Sequence, residues 1–124
     1  MLFDVATRKL LATITVGLAP FGVTISADGK LAFVANVQSS TITVIELRFM
    51  RVAYSVAIGQ FPYAIAHDPD RNRVFVTNQH ERTVAVIDLK NLREIRRVDV
   101  GDYPEGIAFV HTYRQLDVAN WFRN

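Results

Sequence analysis

The three histidines are the first side chains with which this 124-residue chain could do chemistry, because imidazole binds metal ions and transfers protons near neutral pH. His67 ends an apolar stretch, whereas His80 and His111 lie in two polar stretches of different composition. Cysteine is absent, which excludes disulfides, thiolate metal ligands and cysteine nucleophiles. A metal site therefore depends on whether the fold brings the histidines together.

Serine and carboxylate side chains offer the other routes to catalysis. None of the serines stands in the Gly-x-Ser-x-Gly sequence of an activated nucleophile. Asp102 and Glu105 flank Pro104, an arrangement that is equally typical of a loop. These residue types predict no catalytic residue, no metal site and no cofactor, and an enzyme is kept as an alternative.

A repeat of 42 residues determines the elements that must position these side chains. A Gly-x-x-Pro step recurs at this spacing, and so does an Asn that ends an apolar stretch. The repeat positions are Gly17, Pro20, Asn36, Gly59, Pro62, Asn78, Gly101, Pro104 and Asn120. The chain divides accordingly into the end of a unit at 1–16, full units at 17–58 and 59–100, and the first half of a unit at 101–124.

Each full unit is predicted to form four short strands, which in the second unit span 63–67, 73–78, 83–89 and 94–100. These stretches are rich in Val and Ile and are separated by turn residues. The second and third strands are apolar at consecutive positions, which indicates that both faces of their sheet are covered. Four strands per 42-residue unit, in sheets covered on both faces, are typical of sheets that stack radially. The sequence therefore predicts an all-β fold, a β-propeller with four-stranded antiparallel blades. About three blades are present, so we expect part of a larger ring.

Equivalent apolar positions in the two full units predict the core between the blades. The expected core residues are Phe33, Val34, Val44, Ile45, Phe75, Val76, Val86 and Ile87. The third copy departs from this pattern, since Asp117 stands where the others have Phe33 and Phe75. A carboxylate buried between sheets without a partner costs several kcal/mol. We therefore expect Asp117 to face solvent or a side of the blade without a neighbour.

Several motifs recur together at the fixed period: the VAN, VTN and VAN endings at Asn36, Asn78 and Asn120, the Gly-x-x-Pro steps, SADGK at 26–30, and the VIEL and VIDL strands. In this combination the chain resembles YVTN-type β-propeller repeats of bacterial and archaeal surface-layer and periplasmic proteins. The resemblance implies a non-catalytic binding scaffold in the periplasm or at the cell surface. Lactonase-like hydrolases and cofactor-dependent redox proteins also use such propellers, and both are kept as alternatives.

The repeated Gly, Pro and Asn residues are interpreted as structural. An Asn bonds locally and tolerates a left-handed backbone, so we expect Asn36, Asn78 and Asn120 to fix the loops that follow them. The loop of His80 and the turn of His111 emerge on opposite faces of a propeller. These two histidines are therefore not expected to share a metal ion.

The binding surface is predicted on the face that carries the Gly-x-x-Pro connections and the loops after each repeated Asn. The copies diverge most in these loops, and loops on a rigid scaffold are where binding residues concentrate. A protein, a glycan or another polymer is the expected ligand. The predicted binding residues are Phe21, Phe61, Tyr63, His80, Glu81, Arg82, Tyr103, Trp121, Phe122 and Arg123.

The net charge of +2 comes mainly from arginine. Arg93, Arg96 and Arg97 fall on the predicted outer strand, where charge discourages aggregation between sheet edges. This interpretation is favoured over contact with phosphates, so nucleic-acid binding is only a third alternative. No apolar run is long enough for a membrane helix, and residues 1–10 lack the apolar core of a signal peptide.

The two ends of the chain are complementary halves of a blade. Residues 101–124 supply a first and a second strand, whereas residues 1–16 supply a third and a fourth. An unpaired strand edge invites a partner chain. We therefore expect either a fragment of a larger ring or self-association by exchange of chain ends.

Overall fold

The computed structural model describes residues 1–121, and its regular secondary structure is almost entirely β-strand, as the sequence predicts. The strands are β1 (Leu2–Phe3), β2 (Leu10–Ala12), β3 (Pro20–Ile25), β4 (Leu31–Asn36), β5 (Thr41–Glu46), β6 (Arg51–Ala57), β7 (Pro62–Asp68), β8 (Arg73–Asn78), β9 (Thr83–Asp88), β10 (Arg93–Asp99), β11 (Pro104–Val110) and β12 (Gln115–Asn120). Single 3-10 turns occupy Gln79–Glu81 and His111–Tyr113. The four strands predicted for the second unit agree with these bounds to within one residue at each end.

The strands form two complete blades and two hairpins. β3 to β6 pair in chain order as one antiparallel sheet, the first blade, and β7 to β10 pair likewise as the second blade. β1 and β2 form the N-terminal hairpin, and β11 and β12 form the C-terminal hairpin. By the 42-residue register the N-terminal hairpin corresponds to the last two strands of a blade, and the C-terminal hairpin corresponds to the first two.

The core lies between the two complete blades. Six of the eight expected core residues are buried: Phe33, Val44, Ile45, Val76, Val86 and Ile87. Val34 and Phe75 are only half-buried, so the expectation of full burial is wrong for these two. Val34 faces a cavity beside the N-terminal hairpin, and Phe75 faces one beside the C-terminal hairpin. Each hairpin covers only part of the neighbouring blade.

The repeated Asn residues act through their side chains. Asn36 is fully buried, and its Nδ2 donates to Thr41 Oγ1 at 3.1 Å and to Thr43 Oγ1 at 2.8 Å. Asn78 makes the corresponding bond to Thr83 Oγ1 at 3.3 Å. The expected local hydrogen bonding is therefore present for these two.

The expected left-handed backbone at these asparagines is wrong. Asn78 is extended, with φ −107° and ψ 100°, and neither Asn36 nor Asn120 has a positive φ. Left-handed residues come instead four positions after the asparagine, as at Ser40 and Arg82, with φ of 53° and 54°. The asparagine clamps the start of the following strand, and a different residue makes the sharp turn.

The outer strand of the second blade, β10, carries the arginines assigned to edge protection. Arg93, Arg96 and Arg97 are exposed on it. Arg97 is paired with Glu94 and Glu81, and these carboxylates raise the pKa of its guanidinium.

Asp117 faces solvent as expected and accepts a hydrogen bond from Gln115. Within residues 1–121 there is no helix long and apolar enough to cross a membrane.

Candidate functional site

One end of the blades gathers the loops in which the repeats differ. Because β7 and β8 pair antiparallel, with Pro62 opposite Asn78, the segment before β7 and the segment after β8 emerge together. The same register places Pro20 opposite Asn36 and Pro104 opposite Asn120. We call the surface made by 17–21, 37–40, 59–63, 79–82, 101–105 and Trp121 the loop face.

Aromatic rings are paired on the loop face at each successive repeat. Phe21 stacks on Tyr63 of the neighbouring blade, with ring centroids 4.0 Å apart. Phe61 stacks on His80 at 3.7 Å, and Tyr103 meets Trp121 edge-on at 6.4 Å. Phe21 and Trp121 leave 61% and 69% of their surface exposed, so both rings contribute apolar surface to the loop face.

The backbone that presents these rings is common to all three repeats. The amide of Gln79 donates to the carbonyl of Phe61, and the amide of Trp121 donates to that of Tyr103. Phe61 and Tyr103 have left-handed φ values of 54° and 49°, as does Ala19 in the first repeat at 51°. The loop conformation therefore belongs to the fold, and only the side chain at this position changes between repeats.

A polar cleft of about 540 Å³ lies on the loop face between the second blade and the C-terminal hairpin. It is lined by Gln60, Gln79, His80, Arg82, Asp102 and Tyr103. The two carboxamides can each donate and accept hydrogen bonds, so the lining suits a ligand that carries both donors and acceptors.

Three charged residues of the loop face, Glu81, Arg82 and Asp102, are each engaged in an ion pair. Arg82 Nη1 lies 3.1 Å from Asp102 Oδ1 across the cleft, and both side chains are partly exposed. Glu81 accepts the backbone N–H of Gln60 at 3.0 Å and pairs with Arg97 at 2.5 Å. Ser39 plays the same part in the first repeat, where its Oγ accepts the N–H of Leu18 at 2.6 Å. Glu81 therefore holds the loop in shape, beneath the groups that face solvent.

The three histidines are separated. His80 is on the loop face, whereas His111 lies at the other end of the blades with its Nδ1 3.4 Å from Asp70 Oδ2. His67 is half-buried, and burial lowers the pKa of its imidazole although Asp68 and Asp28 oppose the shift. No group of three His, Asp or Glu side chains with metal-binding geometry occurs among residues 1–121.

The structure places eight of the ten predicted binding residues on the loop face. Phe122 and Arg123 lie outside the described residues. Gln60, Gln79 and Asp102 line the cleft but were not among the predicted binding residues. They could have been found from the register, because each occupies a loop position next to one that was chosen.

The fold is shared with several solved structures. No protein-family model matches the sequence, and no curated protein sequence matches it. Hydrazine synthase from Kuenenia stuttgartiensis is similar over 90% of this chain and 32% of its own, with 31% identity and a TM-score of 0.80. The β-propeller domain of Myceliophteria thermophila Cps50 (Swd1) is similar over 90% and 34%, with 18% identity and a TM-score of 0.76.

A third similar structure is the dihydro-heme d1 dehydrogenase NirN, over 94% of this chain and 26% of its own, with 18% identity and a TM-score of 0.80. The chain thus spans about a third or less of each of these proteins. Together with the four-stranded antiparallel blades, these likenesses establish a β-propeller fold and confirm the predicted fold class.

Proposed function

We propose that this chain is part of a YVTN-type propeller that binds a protein segment, without catalysis, through its loop face. The observation that carries the proposal is that paired aromatic rings and a polar cleft lie together on that one face. Aromatic residues and arginine dominate the energetics of protein interfaces. Rings at the rim and carboxamides in the cleft therefore suit a peptide with apolar side chains and a polar backbone.

The polar lining of the cleft supports a peptide ligand in a second way. Gln60 and Gln79 can pair with both the N–H and the C=O groups of an extended backbone. Arg82 and Asp102 neutralise each other across the cleft, which favours a ligand of low net charge over a phosphate-rich one. Glycan binding and arginine-mediated nucleic-acid binding are the outcomes that the experiment must separate from this proposal.

Selection from a random-peptide library displayed on phage tests the proposal on the 124-residue chain. The loop-face variant combines Trp121→Ala with Arg82→Asn. The matched control combines Tyr113→Ala with Arg114→Asn at the opposite end of the blades. The control is close because Arg82 and Arg114 both end a 3-10 turn, with φ of 54° and 52°, and asparagine tolerates that conformation.

We expect selected peptides to bind the unaltered chain and the control alike, and to bind the loop-face variant at least tenfold more weakly. Thermal unfolding should be nearly unchanged in both variants, because Trp121 and Arg82 lie outside the strands. Equal loss of binding in the control would contradict the assignment of the face. Binding to a glycan array or to RNA, with no peptide selected, would contradict the ligand class.

A redox or hydrolytic propeller is the second candidate function. It is favoured by the 31% identity to hydrazine synthase over 90% of this chain. In that case the reacting groups are supplied by other parts of the ring or by another domain. The visible absorption spectrum of the natural protein, purified from its source, tests this candidate. A bound chromophore supports it, whereas a colourless protein that binds the selected peptides supports the scaffold.

The family resemblance also leads us to propose a location in the periplasm or at the cell surface. Protease treatment of intact cells, with an antibody against this sequence as the readout, tests the proposed location. Complete protection both in intact cells and after outer-membrane permeabilisation would contradict it.

A further inference from the structure

The apolar cavity beside the C-terminal hairpin has a filled counterpart elsewhere in the chain. The cavity holds about 540 Å³, and its second-blade wall includes Phe75, Val84, Val86, Val98 and Val100. Forty-two residues earlier, the first blade has Phe33, Ile42, Val44, Val56 and Ile58. Those residues pack in the core against the second blade. The cavity is therefore the same interface with part of one partner missing.

The missing part can be identified from the filled interface. There the second blade contributes Val74 and Val76 from its second strand, together with Ala85, Ile87 and Leu89 at its third strand. In the cavity, Leu116 and Val118 occupy the positions equivalent to Val74 and Val76. Within residues 1–121 nothing pairs with the outer edge of β12, so the equivalents of the other three are lacking.

The N-terminal hairpin displays the three lacking residues. By the same register Met1, Phe3 and Val5 are the equivalents of Ala85, Ile87 and Leu89. They are exposed by 80%, 55% and 90%; Met1 also borders the cavity beside the first blade, whereas Phe3 and Val5 do not line it. An exposed row of large apolar side chains at positions that are otherwise buried between blades marks an interaction surface.

We propose that this cavity and the β12 edge bind the N-terminal hairpin of a second copy of this chain. The register of the second blade, where Val74 pairs with Ile87 and Val76 with Ala85, gives the pairing across the interface. Leu116 lies opposite Phe3 of the second copy, and Asp117 lies opposite its Leu2. The incoming hairpin completes the third blade, and Phe3 covers Phe75.

The exchange is reciprocal, because the second copy has the same cavity and the same hairpin. In a dimer of the 124-residue chain, the two copies contribute four complete blades and two composite ones about a two-fold axis, six blades in all. Six blades fall within the usual range of about four to eight, whereas three copies would need nine. The proposal is independent of the ligand assigned to the loop face.

Asp117 opposes this association and gives a sharp test of it. In the composite blade it takes the position that Phe33 and Phe75 occupy in the complete ones, so its carboxylate must be desolvated against the first blade of the second copy. Its hydrogen bond from Gln115 offsets only part of that cost. Asp117→Leu should therefore tighten the dimer.

Sedimentation equilibrium on the 124-residue chain tests the proposal. The chain has a mass of 14.0 kDa, and we expect a dimer of twice that mass that dissociates on dilution. Phe3→Asp should weaken the dimer at least tenfold, and Asp117→Leu should strengthen it at least tenfold. Phe49→Asp is the matched control, because Phe49 is 56% exposed and lies in a turn of the first blade. This substitution should leave the affinity of the dimer unchanged. Circular dichroism on the dilute monomers verifies that each variant is folded.

Cross-linking tests the register itself, which is straightforward because the chain has no cysteine. Leu2→Cys combined with Asp117→Cys should give a covalent dimer on oxidation, since directly opposed residues have Cβ atoms about 4.5–5.5 Å apart. Leu2→Cys combined with Ala119→Cys is two residues out of register and should not. A concentration-independent monomer, a dimer insensitive to Phe3→Asp, or equal cross-linking in both registers would each overturn the proposal.

Discussion

Replacing Gly17 with alanine should destabilise the chain through one contact, that between the new methyl group and the side chain of Asn36. A Cβ on Gly17 would lie 2.6 Å from Asn36 Cγ and 2.8 Å from its Nδ2. The Asn36 amide cannot move away freely, because its Nδ2 donates to Thr41 and Thr43. The substitution therefore forces either a backbone shift or the loss of both hydrogen bonds.

The expected magnitude follows from these contacts. Overpacking of this kind costs about 1–3 kcal/mol of unfolding free energy. Asn36→Ala should cost about as much, since it removes one buried and one partly buried hydrogen bond, worth about 1 kcal/mol each. Because both changes act on the same atoms, the double variant should lose about 1–2 kcal/mol less than the sum of the single variants.

Urea unfolding followed by circular dichroism measures all three variants. Gly106→Ala is the matched control, because its Cβ would meet only the Cβ of Ala119 at 3.4 Å, an ordinary contact. We expect this control to lie within about 0.5 kcal/mol of the unaltered chain. A neutral Gly17→Ala, or single-variant effects that add without coupling, would refute the clamp between the repeated glycine and asparagine.

Two further predictions concern the core and the half-buried imidazole of His67. Phe33→Ala should lower the free energy of unfolding by about 3–5 kcal/mol, because Phe33 is 1% exposed between the blades. Phe49 is exposed, so Phe49→Ala should cost less than about 1 kcal/mol. Similar losses for the two variants in urea unfolding would contradict the packing. Burial lowers the pKa of His67 below its usual 6.5, so the unfolded chain binds the proton more readily and stability should fall as the pH drops below about 6.5. His67→Gln should remove this pH dependence of stability between pH 7.5 and 5.5, and the control His80→Gln should retain it. A pH dependence of stability that His67→Gln leaves unchanged would show the reasoning to be wrong.

The repeat predicts the blades well because its period and its composition act together. Strand bounds in the second unit follow from Val- and Ile-rich stretches between turn residues, and the order of pairing follows from short connections between consecutive strands. The positions of the loops on a common end of the blades follow from the antiparallel order alone. The placement of His80 and His111 at opposite ends is therefore confirmed.

The sequence predicts less well where the answer depends on a neighbouring blade. Phe33 and Phe75 occupy the same repeat position, yet one is buried and the other is half-buried, because a complete blade covers the first and a hairpin covers the second. The role of Gln60 and Asp102 in the cleft likewise depends on the distance between adjacent loops. Preferences of single residues also mislead, as the extended backbone of Asn78 demonstrates.

Mapping a bound peptide onto the isotope-labelled 124-residue chain by NMR tests the central claim, that the loop face is the binding surface. A peptide selected from the library is titrated into the chain, and the amide chemical shifts are followed. We predict changes concentrated at 59–63, 79–82 and 101–105, with the turns at the opposite end unaffected. Changes concentrated at 26–30, 68–72 and 111–114 would contradict the account.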